Sequence, residues 1–184
     1  SAAQIRTLLQ TARRALPMDG VQEFTFEAGR PDAVDAEKLR VLREYGVDRV
    51  SVNPQTLHDA TLARIGRRHT AAQFYAAYEQ AARLGFRCIN TDLILGLPGE
   101  SEDDMLESVN GILALSPQNV TLHALCLKKS ARLKTEGETQ LVRDQGAVSA
   151  AARAQARLRE RGYRPYYMYR QKGTLQNLEN IGWA

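Results

Sequence analysis

Cysteine is scarce in this chain: 184 residues hold only Cys88 and Cys126. Two thiols so far apart exclude a disulfide framework, and they cannot supply the closely spaced thiolates of an iron–sulfur motif. The three histidines, His58, His69 and His123, show no ligand spacing with one another or with nearby acids, so no metal site is expected. No apolar run approaches the roughly 18 to 20 residues of a membrane helix, and no signal-peptide pattern opens the chain. Reduced thiols, no membrane and a cytoplasmic location are the expectations. Dense charge is missing as well. Lys and Arg number 25 against 21 acids, but they are spread out rather than packed into a tract, so nucleic acid is not the expected partner. The modest excess, +4, suits an anionic small molecule.

What is present is a repeated unit. An amphipathic helix stops at a glycine and an apolar strand follows at once, around Gly46, Gly85 and Gly162. Helix starts are marked by Asp35 and by the capping boxes Thr70–Gln73 and Ser101–Asp104. The pattern predicts helices over 2–15, 36–45, 59–65, 71–84, 102–115 and 138–161, with strands over 22–27, 48–53, 87–95, 119–125 and 163–169. Such alternation gives an α/β fold with a parallel sheet, and a doubly wound sheet and a barrel both fit the order. The strands INTDLILGL and NVTLHAL read as nearly continuous apolar runs, which predicts cover on both faces. In either architecture the working residues sit at the C-terminal ends of strands.

Four places meet that criterion. Glu27 closes the run EFTFE beside Gly29, where a carboxylate can reach a ligand amine. Gln55 follows Asn53-Pro54, and the proline ends the strand and turns the amide outward. Asp92 lies inside an apolar strand, where a carboxylate needs a partner or a ligand. Gly96-Leu97-Pro98-Gly99-Glu100 joins strand to helix, and its glycines let backbone approach a ligand. Beyond the second of these strands, Arg67 offers a bidentate fork for a carboxylate.

Together the segments EFTFEAGRP, RVSVNPQTLHDATLARIGRRHT and GFRCINTDLILGLPGES closely resemble the oxygen-independent coproporphyrinogen III oxidase family of radical S-adenosylmethionine (SAM) enzymes. Asn53-Pro54-Gln55 and the tail YYMYRQKGTLQNLENIGWA point to the coproporphyrinogen dehydrogenase branch. The resemblance implies a fragment of a partial (β/α)6 barrel, with barrel strands 3–6 to about residue 135 and a C-terminal extension over about 136–184. It implies SAM and a [4Fe–4S] cluster as cofactors, coproporphyrinogen III as substrate and an electron donor as partner. In such enzymes a radical made from SAM takes hydrogen from a propionate, and loss of CO2 and an electron leaves a vinyl group. The SAM contacts it implies fall on Glu27, Gln55, Arg67 and Asp92, with Arg67 available to pair with Asp92, and on Cys126 through its backbone. Lys128, Lys129, Arg164, Arg170 and Lys172, placed late in the chain, are candidates for the substrate carboxylates, Arg170 and Lys172 foremost.

One departure is plain: no CxxxCxxC occurs. The chain is therefore expected to be an inactive fragment, cut on both sides, of a longer haem-biosynthesis enzyme. A haem-binding or haem-delivery protein of the same superfamily is the alternative. Loss of a neighbouring strand would leave strand 22–27 as an open edge. Self-association is then expected, or cover by helix 2–15 through Ile5, Leu8, Leu9, Ala12 and Leu16.

Overall fold

The computed structural model describes residues 1–126, 145–170 and 172–184. Helix α1 (Ala2–Ala15), strand β1 (Thr25–Gly29), α2 (Ala36–Glu44), β2 (Arg49–Val52), α3 (Asp59–Arg64), α4 (Ala71–Arg83), β3 (Cys88–Leu95), α5 (Glu102–Leu115) and β4 (Asn119–Ala124) follow in order. Then come α6 (Gln145–Glu160), β5 (Pro165–Tyr169) and β6 (Asn180–Trp183). Both capping boxes form, at Thr70 and Ser101, and Asp35 caps α2 by accepting from the Lys38 amide at 2.8 Å. The part of the predicted 138–161 helix before Gln145 lies outside the described residues, as does the boundary near 135.

The strand predicted over 22–27 forms two to three residues later. The Phe24 carbonyl already accepts from the amides of Asp48 and Arg49, and the ladder to β2 starts at Thr25↔Arg49. It runs on until Gly29 accepts from Asn53 at 2.7 Å.

The six strands lie in the order β1-β2-β3-β4-β6-β5. The first four are parallel, as alternation with helices requires. The sheet is not wholly parallel, however. The closing stretch Asn180–Trp183, read from sequence only as an apolar end, is a strand inserted between β4 and β5 and antiparallel to both. Its Trp183 is completely buried.

A second correction concerns the faces. Val50, Val52, Ile89, Leu93, Leu95, Val120, Leu122, Ile181 and Trp183 share one core with Leu39, Phe74, Met105, Ile112 and Leu158 of the helices. The alternate residues of the same strands are polar and bond to one another across the opposite face. Ser51 Oγ donates to Glu27, Thr121 Oγ1 to Asn90, and Asn90 Nδ2 to Asp92. The cover foreseen on both faces is present, since β3 and β4 are buried almost throughout, Asn90 and Thr121 included, but helices supply it on one side only and the other face is polar.

That polar face curls into a trough. Arg49 of β2 donates to the Tyr166 hydroxyl of β5 at 3.2 Å. Those strands stand four positions apart in the sheet, at about 4.8 Å per position, too far for two side chains across a flat surface. Gly182 makes room for the closure, since a Cβ there would run into the Tyr167 ring.

β1 is an edge of the sheet, as expected for strand 22–27. Helix α1 packs mainly on α2 rather than over that edge, anchored by Arg13 to the Tyr45 carbonyl at 2.8 Å and by Arg6–Glu44. Ala2 and Leu9 are buried while Leu8 and Leu16 stand 58% exposed, so the inward face differs from the one expected.

Candidate functional site

The C-terminal ends of β2, β3 and β4 open onto a cavity of about 290 Å³ lined by Gln55, Asp92, Ile94, His123, Cys126 and Tyr169, among others. Three of the predicted site residues thus converge. Gln55 sits just past β2 with a left-handed backbone, φ 72°. It is a non-glycine residue in a sparsely populated conformation, which surrounding structure has to hold. Its amide donates to the Asp92 carbonyl at 3.1 Å, and its carbonyl accepts from Ile94 at 2.8 Å.

Asp92 is half-buried. One carboxylate oxygen accepts from Asn90 Nδ2 at 2.8 Å, and the other lies 3.6 Å from His123 Nε2. The partner foreseen for it, Arg67, is not there: His123 takes that place. Arg67 instead occupies the loop between α3 and α4, half-buried, with no hydrogen bond or ion pair to its guanidinium among the described residues. Glu27 is exposed on β1 and accepts from Ser51 Oγ at 2.5 Å, on the same sheet face but outside the cavity lining.

Cys126 forms an antiparallel bridge with Thr174, and its Sγ approaches the Lys172 carbonyl at 3.6 Å. The tail is therefore folded onto the rim, as the substrate candidates require. Arg170 is ion-paired with Glu179, however, which occupies the guanidinium intended for a propionate. Lys172 is exposed, and Lys128 and Lys129 lie outside the described residues.

His123 is the site residue that sequence reading left unused. It had a signal: Asn119, Thr121 and His123 alternate with Val120, Leu122 and Ala124, which marks a polar strand face ending at the histidine. The wall beside it is aromatic. Tyr167 and Tyr169 lie nearly parallel, 9° apart with centroids at 6.2 Å. Burial pushes the Tyr167 phenol up, partly opposed by a hydrogen bond with Thr121 and reinforced by the Asp92 charge.

The Gly96–Glu100 loop does not face the cavity through flexible glycine backbone. Leu97 and Glu100 are buried, and the Gly96 amide lies 3.1 Å from Met105 Sδ. His58, read as lacking any metal pattern, comes close to Asp104 and Glu107, with ligand atoms within 4.8 Å of one another. Its Nε2 already bonds the Asp104 carbonyl at 2.9 Å, a link between α3 and α5.

A family model for the radical SAM superfamily matches residues 5–111. Among characterised proteins, the oxygen-independent coproporphyrinogen-III oxidase-like protein HemZ of Bacillus subtilis is 38% identical over 186 residues, covering 100% of this chain and 37% of that protein. The heme chaperone HemW of Bacillus subtilis is 36% identical over 129 residues, 70% of this chain and 34% of that protein. The chain thus spans about a third of the length of the curated relatives it matches. Among solved structures, coproporphyrinogen III oxidase HemN from Escherichia coli superposes with a TM-score of 0.71 at 21% identity, over 89% of this chain and 38% of that one. Methylornithine synthase PylB superposes at 0.60 with 18% identity, over 83% and 42%. These matches account for the α/β trough: the chain belongs to the radical SAM superfamily and, within it, is similar to the HemN-, HemZ- and HemW-like proteins.

Proposed function

We propose that this chain carries the SAM-binding and part of the substrate-binding surface of a radical SAM oxidoreductase that decarboxylates the propionates of coproporphyrinogen III. The observation that carries the reading is the convergence of Gln55, Asp92 and Cys126 on one cavity at the strand ends. SAM has an ammonium, a carboxylate, ribose hydroxyls and an adenine, and the residues present match those groups. Asp92 offers a carboxylate oxygen toward His123 and the cavity, Glu27 a second carboxylate and Gln55 an amide. Arg67 offers a guanidinium with no partner among the described residues, and Cys126 its backbone. In a protein that also held the cluster, bound SAM would supply the hydrogen-abstracting radical once the cluster passed it an electron. The residues of this chain hold and orient SAM, and Tyr167 with Tyr169 forms a wall against which a planar ligand can lie.

The iron–sulfur cluster does not fit these residues. Cys88 begins β3 at the opposite end of the sheet, buried and bonded to Asn119 Oδ1 at 3.0 Å, whereas Cys126 lies beyond the end of β4. At about 3.3 Å per strand residue they are more than roughly 20 Å apart. Burial also pushes the Cys88 thiol up, against thiolate formation. Anaerobic reconstitution of this chain with iron and sulfide is accordingly expected to leave no iron–sulfur chromophore after desalting. Stoichiometric iron and sulfide retained on the protein would contradict the geometry.

The second reading, haem binding and delivery, draws on the HemW matches. The Bacillus subtilis HemW match covers 70% of the chain, whereas the HemZ match covers 100%, including the tail that folds over the cavity rim. Decarboxylation of coproporphyrinogen III by the longer protein carrying this chain, assayed beside haem titration, separates the two. Vinyl product supports the oxidase, and haem bound stoichiometrically without product supports the carrier.

A further inference from the structure

Gln55 and Asp92 are placed by backbone, and something has to keep that backbone in a conformation it would not adopt alone. The segment after Gln55 is held from beneath. Thr56 Oγ1 donates to Glu100 Oε1 at 2.5 Å and lies 3.3 Å from Ser108 Oγ. Ser108 Oγ accepts from the Leu57 amide at 3.1 Å, and Thr56 Oγ1 accepts from the His58 amide at 3.2 Å. Thr61, a buried residue of α3, faces the same carboxylate and helps hold its pKa down. One acid therefore ties the residue next to Gln55 to the helix that leads on to Arg67.

Glu100 is an odd choice for a purely structural tie. It is 7% exposed, and no lysine or arginine pairs with it among the described residues. Burial pushes its carboxyl up, against hydrogen bonds from Thr56 and Thr61 and the nearby His58 ring, which pull it down. A carboxyl whose folded value is raised favours the folded state while protonated, and that contribution is lost as pH rises through the folded value. Burial thus works against the ionised form of Glu100, and a neutral residue there would carry no such penalty.

We propose that Glu100 is a positioning residue for the ligand cavity: acting through Thr56, it holds Gln55 in its left-handed conformation and so fixes Gln55 against Asp92. The role rests on the SAM-site reading above. Two acceptor oxygens on one rigidly buried group reach the loop and α3 together, which an amide with a single acceptor cannot reproduce. With the tie broken, Gln55 relaxes toward an ordinary backbone conformation, and its bonds on either side of Asp92 loosen.

The test titrates SAM into this chain by calorimetry, for the wild type and for Glu100→Gln, Thr56→Val and Thr56→Ser, with thermal unfolding of each. Glu100→Gln and Thr56→Val should each weaken SAM binding at least about five-fold. Thr56→Ser, which keeps the hydroxyl, should restore it, and the melting temperature of Glu100→Gln should not fall. Because Glu100 acts through Gln55, adding Glu100→Gln to Gln55→Ala should cause little further loss. Unchanged affinity in Glu100→Gln and Thr56→Val overturns the proposal. So does an affinity loss matched by a fall in melting temperature, which is the signature of a structural residue, or full additivity with Gln55→Ala. A wild-type chain that takes up no SAM instead overturns the SAM-site reading, and the role of Glu100 falls with it.

Discussion

Replacing Trp183 with alanine is expected to remove about 3–5 kcal/mol of stability, the usual range for a fully buried large aromatic. The side chain is completely buried in β6, between β4 and β5, with the Arg159 guanidinium 5.1 Å from its ring centre. Its backbone carbonyl also accepts from Asn119 Nδ2 at 3.3 Å. For a protein of this size each kcal/mol moves the melting temperature by roughly 2–4 °C, so a drop on the order of 6–20 °C follows. Among the described residues the indole Nε1 has no hydrogen-bond partner in its buried position. Trp183→Phe, which removes that unsatisfied donor along with some volume, should therefore lose much less. A melting temperature for the alanine variant within about 2 °C of the wild type would show that β6 does not occupy the middle of the sheet.

Asp92→Asn is expected to weaken SAM binding about 10- to 100-fold, equivalent to the roughly 1.5–3 kcal/mol of a hydrogen bond to a charged group. The substitution is nearly isosteric. The oxygen that accepts from Asn90 has a counterpart in the amide, so the fold should persist. What disappears is the negative charge beside His123 and the cavity. Calorimetric titration with SAM, alongside a circular dichroism spectrum, checks both halves. Wild-type affinity in the mutant would mean that Asp92 serves only the polar lattice of the trough.

Most of the helices and the parallel strands could be read from local chemistry, because caps and glycine stops act within a few residues. Thr70–Gln73, Ser101–Asp104 and Gly85 fixed α4, α5 and the start of β3 almost to the residue. β6 could not be read that way. Four residues carry too little periodicity, and their strand character comes from partners in β4 and β5. Gln55 and Asp92 were legible as candidates because one follows and the other interrupts an apolar strand, and Cys126 only through the family resemblance; the structure brings the three to one cavity. The replacement of Arg67 by His123 beside Asp92 was not, since it depends on the β3–β4 register, in which Asp92 stands opposite Thr121 and His123 opposite Ile94. The polar face was present in the alternation of Asn90 and Asp92 and of Thr121 and His123, but the isoleucines and leucines between them dominated the impression of a continuous apolar run.

The position of β6 also dictates an order of assembly. β5 precedes it in the chain, yet among the described strands β5 joins the backbone ladder through β6 alone. As the polypeptide emerges, strands β1 to β4 can pair in sequence, each against the one before. Residues 165–169 then wait without a ladder partner until Asn180–Trp183 arrives and slots between them and β4. The aromatic side of the trough consequently closes only after the parallel strands have paired. Its aromatic wall, the bridge from Tyr166 to Arg49 and the tail on the cavity rim all form in one late step that depends on four residues near the end of the chain. Ligand binding in the trough then reports on whether synthesis has reached Trp183.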